Sequence, residues 1–203
     1  MYSGNRFSED LYFDNFGLRH EAFEELLEKV ARDMKAKGFS VEFRCVEQSA
    51  FHCYVKFPDI LREEKLARHL AEKILVRIDA QQKKRVFIPE IHTINTFGIY
   101  RDILVSPLSI ILSQKLLAIA MRKREKGRDF YDVSLLWSRT QPDFSYITSE
   151  TGKEKEEFIQ EVITRCEKIN SQVLAKDVEP FLVFPNQSKR VRDFLPFIQK
   201  VFA

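Results

Sequence analysis

The chain has 203 residues, 44% of them hydrophobic, enough for one large or two small domains around a buried core. Its 33 Lys and Arg against 30 Asp and Glu leave a net charge of +3, an excess too mild to demand a polyanionic partner. Three cysteines without a CxxC pair point to neither a disulfide framework nor a zinc knuckle. With no apolar run of about 18 to 20 residues and no secretory start, the expectation is a chain without membrane contact in a reducing cytoplasm.

Asp10-Leu11-Tyr12-Phe13-Asp14 reads as a short strand. Alternation puts Asp10, Tyr12 and Asp14 on one face and Leu11 and Phe13 on the other. After a turn ending at Gly17, residues 18–37 have helical spacing, with Phe23, Leu26, Leu27, Val30 and Met34 as the buried stripe and Gly38 just past the end. Period two returns over residues 40–57, where Val41, Phe43 and Cys45, then Phe51, Cys53, Val55 and Phe57, predict an antiparallel hairpin turning at Gln48-Ser49. Cys45 and Cys53 fall at core positions, as small apolar fillers. Residues 62–72 are charged and fit a short helix or an irregular connection. Ile74, Val76 and Ile78 then alternate with Leu75, Arg77 and Asp79 in a strand ending in a carboxylate, and residues 87–105 suggest one more strand and a connection.

Ser106 suits a helix N-cap and Pro107 the first helical position. Leu108, Ile111, Leu112, Leu116, Ile119 and Ala120 follow at three- and four-residue steps as one apolar stripe, with Lys115 and Arg122, seven apart, on another face. Gly127 breaks that helix, and Arg128, Asp129 and Asp132 open a second, so two cations of one helix meet a carboxylate pair at the start of the next. Spacing alone makes these residues a solvated face with surface ion pairs. Residues 142–152 read as a loop and 153–176 as one long helix carrying Phe158, Val162, Ile163, Ile169 and Val173. A break at 177–185 precedes a last helix over 188–202, weakened in its middle by Pro196. The predicted fold is α+β: a mixed sheet with flanking helices over residues 1–105, then a helical bundle over 106–203. His20, His52, His69 and His92 show no metal-binding spacing, and short basic clusters at 83–85, 122–126 and 189–192 fit solvated charge.

The run Lys115-Leu116-Leu117-Ala118, then Arg122, then Arg128-Asp129-Phe130-Tyr131-Asp132, resembles the K-L-x-A, R and R-D-x-x-D series of the AbiEii/AbiGii toxin family of nucleotidyltransferases. The earlier run from Arg6 through Ser8, Glu9 and Asp10 to Asp14 resembles that family's R-x-S-E-D-L-D-F-D, and the two signatures come in the same order. The resemblance implies a nucleotidyltransferase-like sheet followed by helices. It also implies transfer of nucleotides from an NTP to an acceptor such as tRNA with the help of Mg²⁺. A separate antitoxin would be encoded alongside, in a toxin–antitoxin or phage-defence pair. Carried over residue by residue, Asp10 would hold metal, with Asp79 as third carboxylate by position and type. Lys115, Asp129 and Asp132 would belong to the catalytic pocket, and Arg6, Ser8, Arg122 and Arg128 would bind substrate. The chemistry suits the residue types: Mg²⁺ takes oxygen ligands, a Lys ammonium is a point charge for phosphate, and Arg binds phosphate bidentately.

Two departures accompany the match. Tyr12 stands where the family has its second metal-binding Asp, and a phenol with pKa near ~10 is a neutral, poor Mg²⁺ ligand. Asp14, on the same face, lies about 13 Å along the strand from Asp10, too far to share an ion. Only five residues precede Arg6, where the family has a Gly-Gly-Thr phosphate loop, so the expectation is an N-terminally truncated member or a start upstream of Met1. The alternative function is a catalytically inactive member that binds nucleotide, RNA or a partner protein.

Overall fold

The computed structural model describes residues 5–47, 51–69, 71–83 and 87–202. The Gln48-Ser49 turn and most of the basic cluster at 83–85 lie outside the described residues. The chain forms two compact units, one of Ser8–Arg85 and one of Met1–Phe7 with Val86–Ala203.

In the first unit, β1 (Asp10–Asn15), α1 (His20–Ala36), β2 (Glu42–Glu47), β3 (Phe51–Phe57), α2 (Ile60–Glu63) and β4 (Ile74–Gln82) follow in order. The sheet runs β1-β4-β3-β2, with β1 parallel to β4 and the other pairs antiparallel, so it is mixed as expected. Alternation sends Cys53, Val55, Ile78 and Ala80 to one face, where Phe23 and Leu27 of α1 bury against them. The stripe of α1 is narrower than its spacing suggests, and Leu26 is 52% exposed. Cys45 and Cys53 are register partners across β2 and β3, and burial pushes the Cys53 thiol up to about 12, which keeps it un-ionised as a filler.

The second unit holds β5 (Glu90–Thr96) and β6 (Ile99–Val105), then α3 (Leu108–Met121), α4 (Gly127–Leu136), α5 (Phe144–Thr151), α6 (Lys155–Glu167), α7 (Ser171–Val178), two 3-10 turns, α8 (Lys189–Arg192) and α9 (Phe194–Phe202). Where one strand was expected, β5 and β6 pair as a hairpin. Its two-residue turn has left-handed φ at both Phe97 (+50°) and Gly98 (+72°), a geometry that Asn-Gly usually announces and Phe disguises. Pro107, with ψ of 148°, is itself the cap of α3 instead of its first helical residue. That helix carries no single stripe: Ile110, Ser113 and Leu117 are buried as well, as in a helix packed on all sides.

Three further expectations are corrected. Residues 144–151, read as loop, are the helix α5, because Asp143 accepts from the Tyr146 N–H at one end and Gly152, at φ +71°, closes the other. The single helix over 153–176 is two, because Asn170 accepts from the Gln172 and Val173 N–H groups and caps a new start. The last helix restarts at Phe194, which puts Pro196 in its first turn, where no N–H is needed, so it kinks nothing. Tyr131, Phe158, Phe194, Leu112, Leu116 and Ile147 centre the core. Among the described residues no helix is long and apolar enough to cross a membrane.

Candidate functional site

The turn from α3 to α4 assembles an alternating row of charges. Lys115 Nζ lies 3.0 Å from Asp129 Oδ1 and 2.9 Å from Asp132 Oδ2. Arg122 donates to Asp129 Oδ2 at 2.5 Å. On the far side, the Arg6 Nε and a terminal nitrogen donate to the two oxygens of Asp132 at 2.6 and 2.7 Å. The order Arg122, Asp129, Lys115, Asp132, Arg6 thus carries three positive and two negative charges. The reading of these groups as a solvated face does not hold for the carboxylates: the Asp129 side chain is 3% exposed, while Lys115 is 25% and Arg122 39% exposed.

Local structure explains the placement. Lys115 and Arg122 are two turns apart on and just past α3, and Asp129 and Asp132 sit one turn apart at the start of α4. Gly127 is the first residue of α4, and its N–H donates to Asp177 Oδ2 at 3.0 Å. Arg165 of α6 pins the connection, donating to the Arg122 carbonyl at 2.7 Å and to Glu125 at 2.6 Å. The Arg6 segment is held by Phe7 N–H to the Phe181 carbonyl and Val183 N–H to the Asn5 carbonyl. Burial pushes the Asp132 pKa up, but the hydrogen bond from Arg6 and the charge of Lys115 outweigh it, and the carboxyl titrates below its ordinary range. Arg128 is half-buried in the first turn of α4, one residue before Asp129.

On the sheet unit the face opposite α1 is polar, and its register sets Asp10 beside Arg77, Tyr12 beside Asp79, and Arg77 and Asp79 beside Tyr54 and His52. One terminal nitrogen of Arg77 lies 3.3 Å from Asp10 Oδ2 and 3.0 Å from Asp79 Oδ2, and it donates to the Tyr12 hydroxyl at 3.3 Å. Tyr12 in turn donates to Asp10 Oδ2 at 3.1 Å, and His52 Nδ1 is 2.6 Å from Asp79 Oδ1. Ser8 donates to the Asp10 carbonyl at 3.0 Å. Asp10 and Asp79 are therefore brought together, but around an arginine.

These residues do not fit Mg²⁺. An octahedral ion needs several unengaged oxygens, whereas Arg77 bridges the two carboxylates, His52 engages the remaining oxygen of Asp79, and Tyr12 brings no charge. Among the described residues no group of three His, Cys, Asp or Glu side chains is placed to hold a metal. Reasoning from the sequence set Arg77 on the face of Asp79 but gave it no role, and it did not place His52 on this face. The signal was there in the alternation, since Arg77 is two residues before Asp79 and His52 lies between the core positions Phe51 and Cys53.

A family model described as nucleotidyl transferase AbiEii toxin, type IV toxin–antitoxin system, matches residues 1–196 of the chain. No curated protein matches it.

Proposed function

This chain belongs to the AbiEii nucleotidyl transferase toxin family of type IV toxin–antitoxin systems, and from that premise we propose that it binds an NTP through the Lys115 cluster and presents it to an acceptor RNA such as tRNA. The observation that supports this is the alternating row of charges with its excess of one cation, held on two buried aspartates. Carboxylates that are already in place fix the ammonium and guanidinium groups before a ligand arrives, so less side-chain freedom is lost on binding. The more exposed flanks of Lys115 and Arg122 then meet phosphate oxygens through charge-assisted hydrogen bonds, with Arg128 as a further contact. In this reading Asp129 and Asp132 are positioning residues. The setting is the cytoplasm, where NTP and tRNA occur, with a cognate antitoxin opposing the toxin in phage defence.

Nucleotide transfer to the acceptor is the reaction the family name carries. A second reading, binding of nucleotide, RNA or a partner without turnover, is favoured by one observation, the Arg77 and Tyr12 arrangement between Asp10 and Asp79. Calorimetric titration with each of the four NTPs tests the binding step common to both. At least one NTP binds, and Lys115→Ala weakens it about tenfold, the loss expected of one charge-assisted contact. Equal affinity in Lys115→Ala, or no binding of any NTP, contradicts the proposal.

A further inference from the structure

The polar sheet face contains the charge balance of a metal site without needing the metal. Two carboxylates converge from neighbouring parallel strands, and the cation between them is covalently part of β4. Arg77 owes its place to register: it is the direct partner of Asp10, and Asp79, two residues on, is the partner of Tyr12, so both aspartates fall within reach of one guanidinium. Tyr12 contributes what an aspartate there would not, a neutral hydroxyl that donates to Asp10 and accepts from Arg77, so it adds no third negative charge. With Asp in that position the face would carry three carboxylates around one arginine, and the excess negative charge would favour a divalent ion. With Tyr it carries two.

We propose that Arg77 is the fixed cation of this face and takes the place of a divalent ion, so that the substitution at Tyr12 and the arginine at 77 together convert a metal-binding sheet into a metal-independent one. This deepens the second reading above. Burial pulls the Arg77 pKa down, but the Tyr12 hydrogen bond and the charges of Asp79 and Asp10 outweigh it, and the guanidinium is charged at every physiological pH. Mg²⁺ entering here would have to displace that charge and leave the arginine without its partners. Removing the arginine does the opposite: it leaves two converging carboxylates with one imidazole beside them, a set of donors that suits a divalent ion.

Manganese, which reports on its own binding by the loss of the free-ion spin-resonance signal, is the probe. The intact chain leaves the Mn²⁺ signal unchanged at millimolar concentrations. Arg77→Ala and Arg77→Gln each take up one equivalent, at least tenfold more tightly, and Asp10→Asn added to either variant removes that uptake. Tyr12→Asp added to Arg77→Gln tightens it further. Thermal melts of each variant identify those that fold, and the measurement on the intact chain needs no variant. Uptake of Mn²⁺ by the intact chain that Asp10→Asn abolishes overturns the proposal, as does a folded Tyr12→Asp, Arg77→Gln double variant that takes up none. Failure of NTP binding would overturn the function proposed for Lys115 and leave this result untouched.

Discussion

Gly127→Ala is expected to destabilise the helical unit by about 3 kcal/mol, at the upper end of what overpacking usually costs. A Cβ at this position would lie 2.0 Å from the Leu174 carbonyl oxygen, 3.0 Å from the carbon of that carbonyl and 3.2 Å from Val178 Cβ. The first two are backbone atoms of α7, and no rotamer change relieves them. Only a shift of α4 away from α7 makes room, and that shift strains the bond from the Gly127 N–H to Asp177 and moves Asp129, two residues on. The residue first read as a helix breaker thus serves as a close-approach point between two helices. Urea denaturation of the variant checks the expectation, and a midpoint equal to that of the parent chain contradicts it.

Asp132→Ala is the second large effect, again about 3 kcal/mol, because removing one partner of a largely buried ion pair leaves the other uncompensated. Two cations lose a partner here, Arg6 and Lys115, and the Arg6 segment loses its link to α4. The effect depends on pH with a definite sign. The folded-state pKa of Asp132 lies below the unfolded value of about 3.9, so its contribution is fully present above roughly pH 5 and is lost as pH falls through the depressed folded value. The parent chain therefore becomes more sensitive to urea as pH drops below about 4, and Asp132→Ala, already without the contribution, shows a shallower acid limb. Parallel acid limbs for the two proteins would show that Asp132 is not a source of this linkage.

The residues differ in how readably they declare these arrangements. Lys115, Arg122, Asp129 and Asp132 were visible because helical periodicity places them on facing turns, and the structure brings all four into one row. Arg6 was visible only through the family signature, since no local rule ties residue 6 to residue 132. The mixed sheet was legible from alternation, but its order was not, because the parallel pairing of β1 with β4 joins segments about sixty residues apart. Arg77 escaped for that reason: its role depends on which strand lies beside β4. The helix starts missed at Asp143 and Asn170 share another cause, that a single capping side chain sets where a helix begins and apolar spacing does not show it.

The most direct test of the whole account is incubation of the chain with α-labelled NTPs, Mg²⁺ and bulk tRNA, followed by separation of RNA, protein and free nucleotide. The account predicts nucleotide retained by the protein in a Lys115-dependent manner and, on the reading without turnover, no label on the RNA, because Arg77 between Asp10 and Asp79 stands in for the divalent ion. Label on tRNA that requires Mg²⁺ and disappears in Asp10→Asn would contradict it, and would show that the face opens around Arg77 to do the family's chemistry.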